Sequence, residues 1–216
     1  MTNEKWHQNL YQMFSDNFPD LSATFIETED GSIITYNEVD MWSARFANAL
    51  SKIGVIHGDR VLVQAHKSPE VIFLYLACLR LGAIFVPLNT AYTKNELRYF
   101  VEDSEPKLVV CDPKSPLKEI NFQSDFPNTQ ILTLGLQQVG TLMPIVKNEA
   151  VTSTIPQGDG KDIACILYTS GTTGRPKGIY RELQLNPLPY TQEEDDLGLG
   201  RVEEGIYQGD ENTVYL

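Results

Sequence analysis

Apolar positions along the 216-residue chain recur with two periods. Trp6, Leu10, Met13 and Phe14 fall at helical spacing, so the chain opens on an amphipathic helix. Residues 23–28 and 32–36 are rich in β-branched and aromatic side chains around Asp30-Gly31, which predicts a hairpin. Val39, Trp42, Phe46, Leu50 and Ile53 then mark one face of a helix; Thr35 and Glu38 supply a capping box ahead of it and Gly54 a stop behind it.

From residue 60 the two periods alternate. Residues 60–65 read as a strand, and Ser68-Pro69 starts a helix that Gly82 ends. Residues 83–87 form a short buried strand. Thr93 and Glu96 make a second capping box for a helix to about Ser104, and Pro106 prevents its continuation. Residues 107–111 and 130–134 are strands separated by a weaker helix over 116–123. Residues 140–161 read as a connecting loop, and 162–168 as a strand with a nearly continuous apolar core. This alternation predicts an α/β fold: a mostly parallel sheet with helices on both faces.

Composition narrows the classes of function. The chain carries 17 basic and 29 acidic residues, a formal net charge of −12. Residues 1–178 hold 15 basic and 20 acidic groups, whereas 179–216 hold 2 and 9. Nucleic acid is excluded as a partner, because phosphate neutralisation needs clustered Lys and Arg. The longest apolar stretch, 71–79, is too short for a membrane span of about 20 residues, and MTNEKWHQNL lacks the pattern of a signal peptide. Cys78, Cys111 and Cys165 each sit in an apolar run without C-x-x-C spacing, which reads as buried thiols in a reducing, cytoplasmic setting. His7, His57 and His66 are scattered, so no metal ligand set can be assembled.

The segment Y-T-S-G-T-T-G-R-P-K-G, residues 168–178, carries the candidate chemistry. Gly171, Gly174 and Gly178 let the backbone approach an anion closely, and its N–H groups can form an anion-binding concavity. Thr169, Ser170, Thr172 and Thr173 add hydroxyl donors, and Lys177 a mobile point charge, with Arg175 beside it. It is not a Walker loop, which would place Gly where Pro176 stands. A loose Ser/Thr/Gly loop with a chance lysine would share this composition. Its place directly after a buried strand favours ligand binding, because open α/β sheets bind ligands there.

The order of these residues resembles the phosphate-binding loop of the adenylate-forming superfamily, which includes acyl-CoA synthetases, luciferases and peptide-synthetase adenylation domains. Upstream, Gly58-Asp59-Arg60-Val61 and YLACLRLGAIFVP (75–87) resemble the same superfamily. A narrower resemblance, to malonyl-CoA synthetases, is carried by PLNTAYTKNELRYFVEDSEPKLVVCDP (87–113), Lys67-Ser68 and Leu74-Tyr75-Leu76-Ala77.

The resemblance implies an ATP-dependent acid–CoA ligase. A carboxylate, malonate on the narrower resemblance, becomes an acyl-adenylate with release of pyrophosphate, and CoA then displaces AMP. Mg²⁺ accompanies the ATP. Thr169, Ser170, Gly171, Thr172, Thr173, Gly174 and Lys177 would contact the β- and γ-phosphates, while no catalytic residue and no metal ligand is assigned to this chain. The alternatives are a fragment of a fatty-acyl or aromatic acyl-CoA synthetase, or a non-catalytic split or regulatory fragment, including a phosphate sensor that uses only the loop.

The resemblance stops at Gly178. Residues 1–178 are expected to form a partial AMP-binding domain ending at the phosphate loop. Residues 179–216 are expected to form an unrelated, poorly ordered acidic tail. The family's adenine-binding strand, acidic Mg²⁺ ligand, hinge and catalytic lysine would lie beyond it. The expectation is therefore a truncated, fused or frameshifted chain, inactive alone unless a separate polypeptide supplies the remainder.

Overall fold

A computed structural model describes residues 9–28, 30–158, 162–169 and 177–182, with Thr169 and 177–182 described by their backbone alone. Helix α1 spans Leu10–Ser15, and Trp6 lies outside the described residues. Asn9 caps α1 by accepting a hydrogen bond from Tyr11 N at 2.8 Å. β1 (Thr24–Glu27) and β2 (Ile33–Thr35) form the expected antiparallel hairpin. Helix α2 (Tyr36–Ile53) begins at the expected box: Glu38 N donates to Thr35 Oγ1 at 3.3 Å and Thr35 N donates to Glu38 Oε2 at 2.8 Å. Gly54, at φ 97°, ends it.

β3 (Arg60–Gln64), β4 (Ile84–Pro87), β5 (Leu108–Cys111), β6 (Gln130–Thr133) and β7 (Ile163–Thr169) run parallel. β8 (Lys177–Glu182) joins the edge antiparallel to β7, giving the order β6-β5-β3-β4-β7-β8. Side chains alternate across the pleat, so the strands feed two cores. Val61, Val63, Phe85, Leu108 and Val110 pack with α2, α3 (Pro69–Leu81) and α6 (Leu142–Lys147). Leu62, Val86, Val109 and Ile166 pack on the other face with α4 (Lys94–Ser104) and α5 (Phe122–Asp125). Both faces are thus covered, as parallel sheets require.

Two expectations change in detail. The helix over 116–123 is a 3-10 turn at Pro116–Glu119 followed by α5. Between them Ile120 is extended, and Asn121 restarts the chain by accepting from Ser124 N at 3.3 Å. A side-chain acceptor there competes with a continuous helix. The loop over 140–161 contains α6, whose Leu142, Met143 and Val146 are buried in the core shared with α2. Pro144 is tolerated in its first turn, where backbone N–H groups lack intrahelical partners in any case. β8 runs past the expected boundary at 178 to Glu182, and the described residues do not test that boundary. Residues 183–216, and with them the expected disorder of the tail, lie outside the described residues.

Gly82 shows why the α3 stop must be glycine. It sits at φ 67°, and an added Cβ would lie 2.4 Å from His57 Cδ2. His57 also pairs with Asp162, Nε2 to Oδ1 2.9 Å. Its half-exposed ring can swing away, so the backbone strain dominates. Gly82→Ala is expected to lower stability by about 1–2 kcal/mol, read as a lower urea midpoint at constant m; an unmoved midpoint would contradict this account.

Candidate functional site

Because β3 to β7 are parallel, the segments that follow them gather at one edge of the sheet. Gln64, the last residue of β3, ties two of these segments together. It is buried; its Nε2 donates to Asn89 O at 3.2 Å and its Oε1 accepts from Ser115 Oγ. The chain after β4 and the chain after β5 are therefore held to the end of the central strand. His66 and Asp112 face each other nearby, Nε2 to Oδ2 4.0 Å.

The β7–β8 hairpin reaches the same edge. Its register places Thr169 opposite Lys177, with Tyr168 opposite Gly178 and Leu167 opposite Ile179. The two ends of the sequence-predicted phosphate loop are thus paired across a ladder. Ser170, Gly171, Thr172, Thr173 and Gly174 lie outside the described residues. The second arm of this loop is a strand. In a Walker-type strand–loop–helix, the helix N-terminus contributes partial positive charge to the bound anion. A strand has no comparable dipole. Anion binding here would rest on loop N–H groups, hydroxyls and cationic side chains.

Tyr168 anchors the end of β7 before the loop. Its ring packs 4.5 Å from that of Phe100 in α4, and its hydroxyl donates to Asp103 Oδ2 at 2.6 Å. Burial, and then the hydrogen bond and charge of Asp103, push the Tyr168 phenol above the ordinary tyrosine range. Sequence reasoning did not single out Asp103. In K-N-E-L-R-Y-F-V-E-D-S it is one of several charges, and only its partner 65 residues away distinguishes it.

Two of the three thiols are suppressed as nucleophiles. Cys78 is buried, and burial drives its thiol well above the usual range; burial also pushes Cys111 up to about 11. Cys165 is half-buried. Among the described residues no group of three or more His, Cys, Asp or Glu could hold a metal ion, and no helix is long and apolar enough to cross a membrane.

Comparison with known proteins places this geometry. A family model described as AMP-binding enzyme matches residues 12–184. Long-chain-fatty-acid–CoA ligase FadD13 of Mycobacterium tuberculosis is 32% identical over 163 residues, covering 74% of this chain and 32% of that protein. 2-Succinylbenzoate–CoA ligase of Oceanobacillus iheyensis is 34% identical over 166 residues, covering 76% and 32%. The crystal structure of ATP-bound MatB from Rhodopseudomonas palustris superposes with a TM-score of 0.76 at 39% identity, covering 82% of this chain and 35% of that one. The chain spans about a third of the length of these relatives. With the match running from within α1 to just past β8, and the parallel sheet and loop hairpin inside it, the chain belongs to the AMP-binding enzyme family.

Proposed function

We propose that this chain serves an ATP-dependent acid–CoA ligase, as the part that grips the β- and γ-phosphates of ATP. The observation that carries this reading is the β7–β8 register, which sets Thr169 across from Lys177 at the carboxyl edge of the parallel sheet. Thr169, Ser170, Gly171, Thr172, Thr173, Gly174 and Lys177 are the proposed phosphate contacts. In the reaction a carboxylate oxygen attacks the α-phosphorus, the bond to the bridging oxygen of pyrophosphate breaks, and pyrophosphate departs. The CoA thiol then attacks the acyl carbon and AMP leaves. Holding the departing phosphates in line neutralises charge that grows during the first step. Mg²⁺ would accompany the ATP; no cluster among the described residues fits it, and no role in this chain is assigned to it.

Malonate is the proposed acid. Its support is the resemblance of residues 87–113 to malonyl-CoA synthetases. That stretch runs from the end of β4 through α4 and β5. Much of it is structural: Leu88, Leu97, Phe100 and Cys111 are buried, and Thr93 N donates to Glu96 Oε2 at 2.8 Å. It therefore speaks to descent rather than to contacts with the acid.

The test sets residues 12–184 in a full-length frame, spliced in place of the matching segment of MatB and, separately, of FadD13. The MatB hybrid should release pyrophosphate in response to malonate, and Lys177→Ala should lower that rate about 10²-fold. Undiminished release in the Lys177→Ala hybrid would remove the loop from the reaction. An active FadD13 hybrid on a long-chain acid, beside a MatB hybrid inert to malonate, would replace malonate with a fatty acid.

A further inference from the structure

We propose that Tyr168 and Asp103 are the positioning pair of the phosphate loop, fixing where the β7–β8 tip stands relative to the rest of the sheet; this rests on the phosphate-binding reading above. β7 registers with β4 at Phe85 opposite Cys165, and its last residues pair with β8. β8 is itself the edge strand of the sheet. Among the described residues no further strand supports the tip beyond β8.

The side chain of Tyr168 adds a tie from the end of β7 to α4. It immediately precedes Thr169, the first proposed phosphate contact. Its hydroxyl donates to the Asp103 carboxylate at 2.6 Å, and its ring lies against Phe100. Both partners belong to α4, which is held rigidly at its start. There Thr93 N donates to Glu96 Oε2, and Leu97 and Phe100 are fully buried. A phenol-to-carboxylate hydrogen bond is short and charge-assisted, so it fixes direction as well as distance. Tyr168 and Asp103 touch no phosphate in this account; they act by setting the loop's first arm.

The experiment uses the whole chain and inorganic tripolyphosphate, with binding followed by phosphorus NMR titration. Tyr168→Phe keeps the ring on Phe100 and removes the hydroxyl; Asp103→Ala removes its acceptor. Each is expected to weaken tripolyphosphate binding about fivefold, with the unfolding temperature unchanged. The double variant should be no weaker than either single one, because one bond is lost in all three. Asp103→Glu, which still offers a carboxylate, should recover most of the loss.

Lys177→Ala separates the two levels of the argument and should weaken binding more than tenfold. If Tyr168→Phe binds as the parent does while Lys177→Ala is weakened, the positioning pair is wrong and the phosphate reading stands. If the parent does not bind, or Lys177→Ala binds equally well, both fall. A loss in Tyr168→Phe that follows a lowered unfolding temperature, and that Asp103→Ala does not share, also overturns the pair.

Discussion

Arg80→Ala is expected to remove about 3–4 kcal/mol of folding stability, near the loss seen when one partner of a buried ion pair is deleted. Arg80 lies in the last turn of α3 with its side chain 3% exposed. Its Nε donates to Ser43 Oγ at 3.0 Å and its Nη1 to Ser153 Oγ at 3.2 Å. Its Nη2 donates to Tyr11 OH and to Asp40 O, each at 2.9 Å, and pairs with the Asp40 carboxylate. The guanidinium carbon also stands 3.9 Å from the centre of the Tyr11 ring. One side chain thus joins α1, α2, α3 and the segment after α6.

The magnitude follows from what is left behind. Tyr11 is fully buried, and burial, outweighing the opposing effects of Ser43 and Arg80, pushes its phenol up to about 12. Without Arg80, Ser43 and the Asp40 carbonyl lose buried partners, and a cavity opens beneath α1. The Asp40 side chain is 47% exposed, so water re-solvates part of its charge and holds the loss below the upper end of the range. Arg80→Lys should recover less than half, because an ammonium is a point donor that cannot span five acceptors in a fork. Urea unfolding checks both. An Arg80→Ala protein within 1 kcal/mol of the parent would mean that the network adds little.

Arg80 also marks where sequence reasoning ended. The helix boundaries at Thr35, Gly54, Thr93 and Gly82 were legible because capping is local: each donor and acceptor lies within four residues. The inner strands β3, β4 and β5 were legible because burial on both faces makes a continuous apolar run. Helix α6 was not, since Pro144 and the flanking Thr141 and Asn148 obscure a short apolar set. β8 was not, because its pairing comes from β7 rather than from its own pattern. The same division holds for the site. The loop residues are contiguous and announce themselves, whereas Asp103 and Arg80 look like ordinary helix-surface charges until partners 65 and 69 residues away are brought to them.

Phe100→Ala is the second large loss expected, about 3–5 kcal/mol. Phe100 is fully buried in the core that α4 makes with Leu62, Val86 and Val109. Its ring is the hub of an aromatic group, 4.9 Å from Tyr92, 5.6 Å from Tyr99 and 4.5 Å from Tyr168. Truncation removes transfer energy and leaves a ring-sized cavity that the sheet beneath cannot close. Such contacts add about 0.5–1.5 kcal/mol per pair beyond area. Total domain stability is only about 5–15 kcal/mol, so the Ala variant should be near the limit of folding.

Phe100→Leu separates packing from placement. It refills most of the volume and should cost about half as much as the truncation, leaving a folded protein. It does not restore a flat ring for Tyr168 to lie against. The Leu variant is therefore expected to keep most of its urea resistance while its tripolyphosphate affinity falls with that of Tyr168→Phe. Equal retention of both properties would show that any apolar side chain at this position suffices to seat the loop, and that the direction of the β7–β8 tip is set elsewhere.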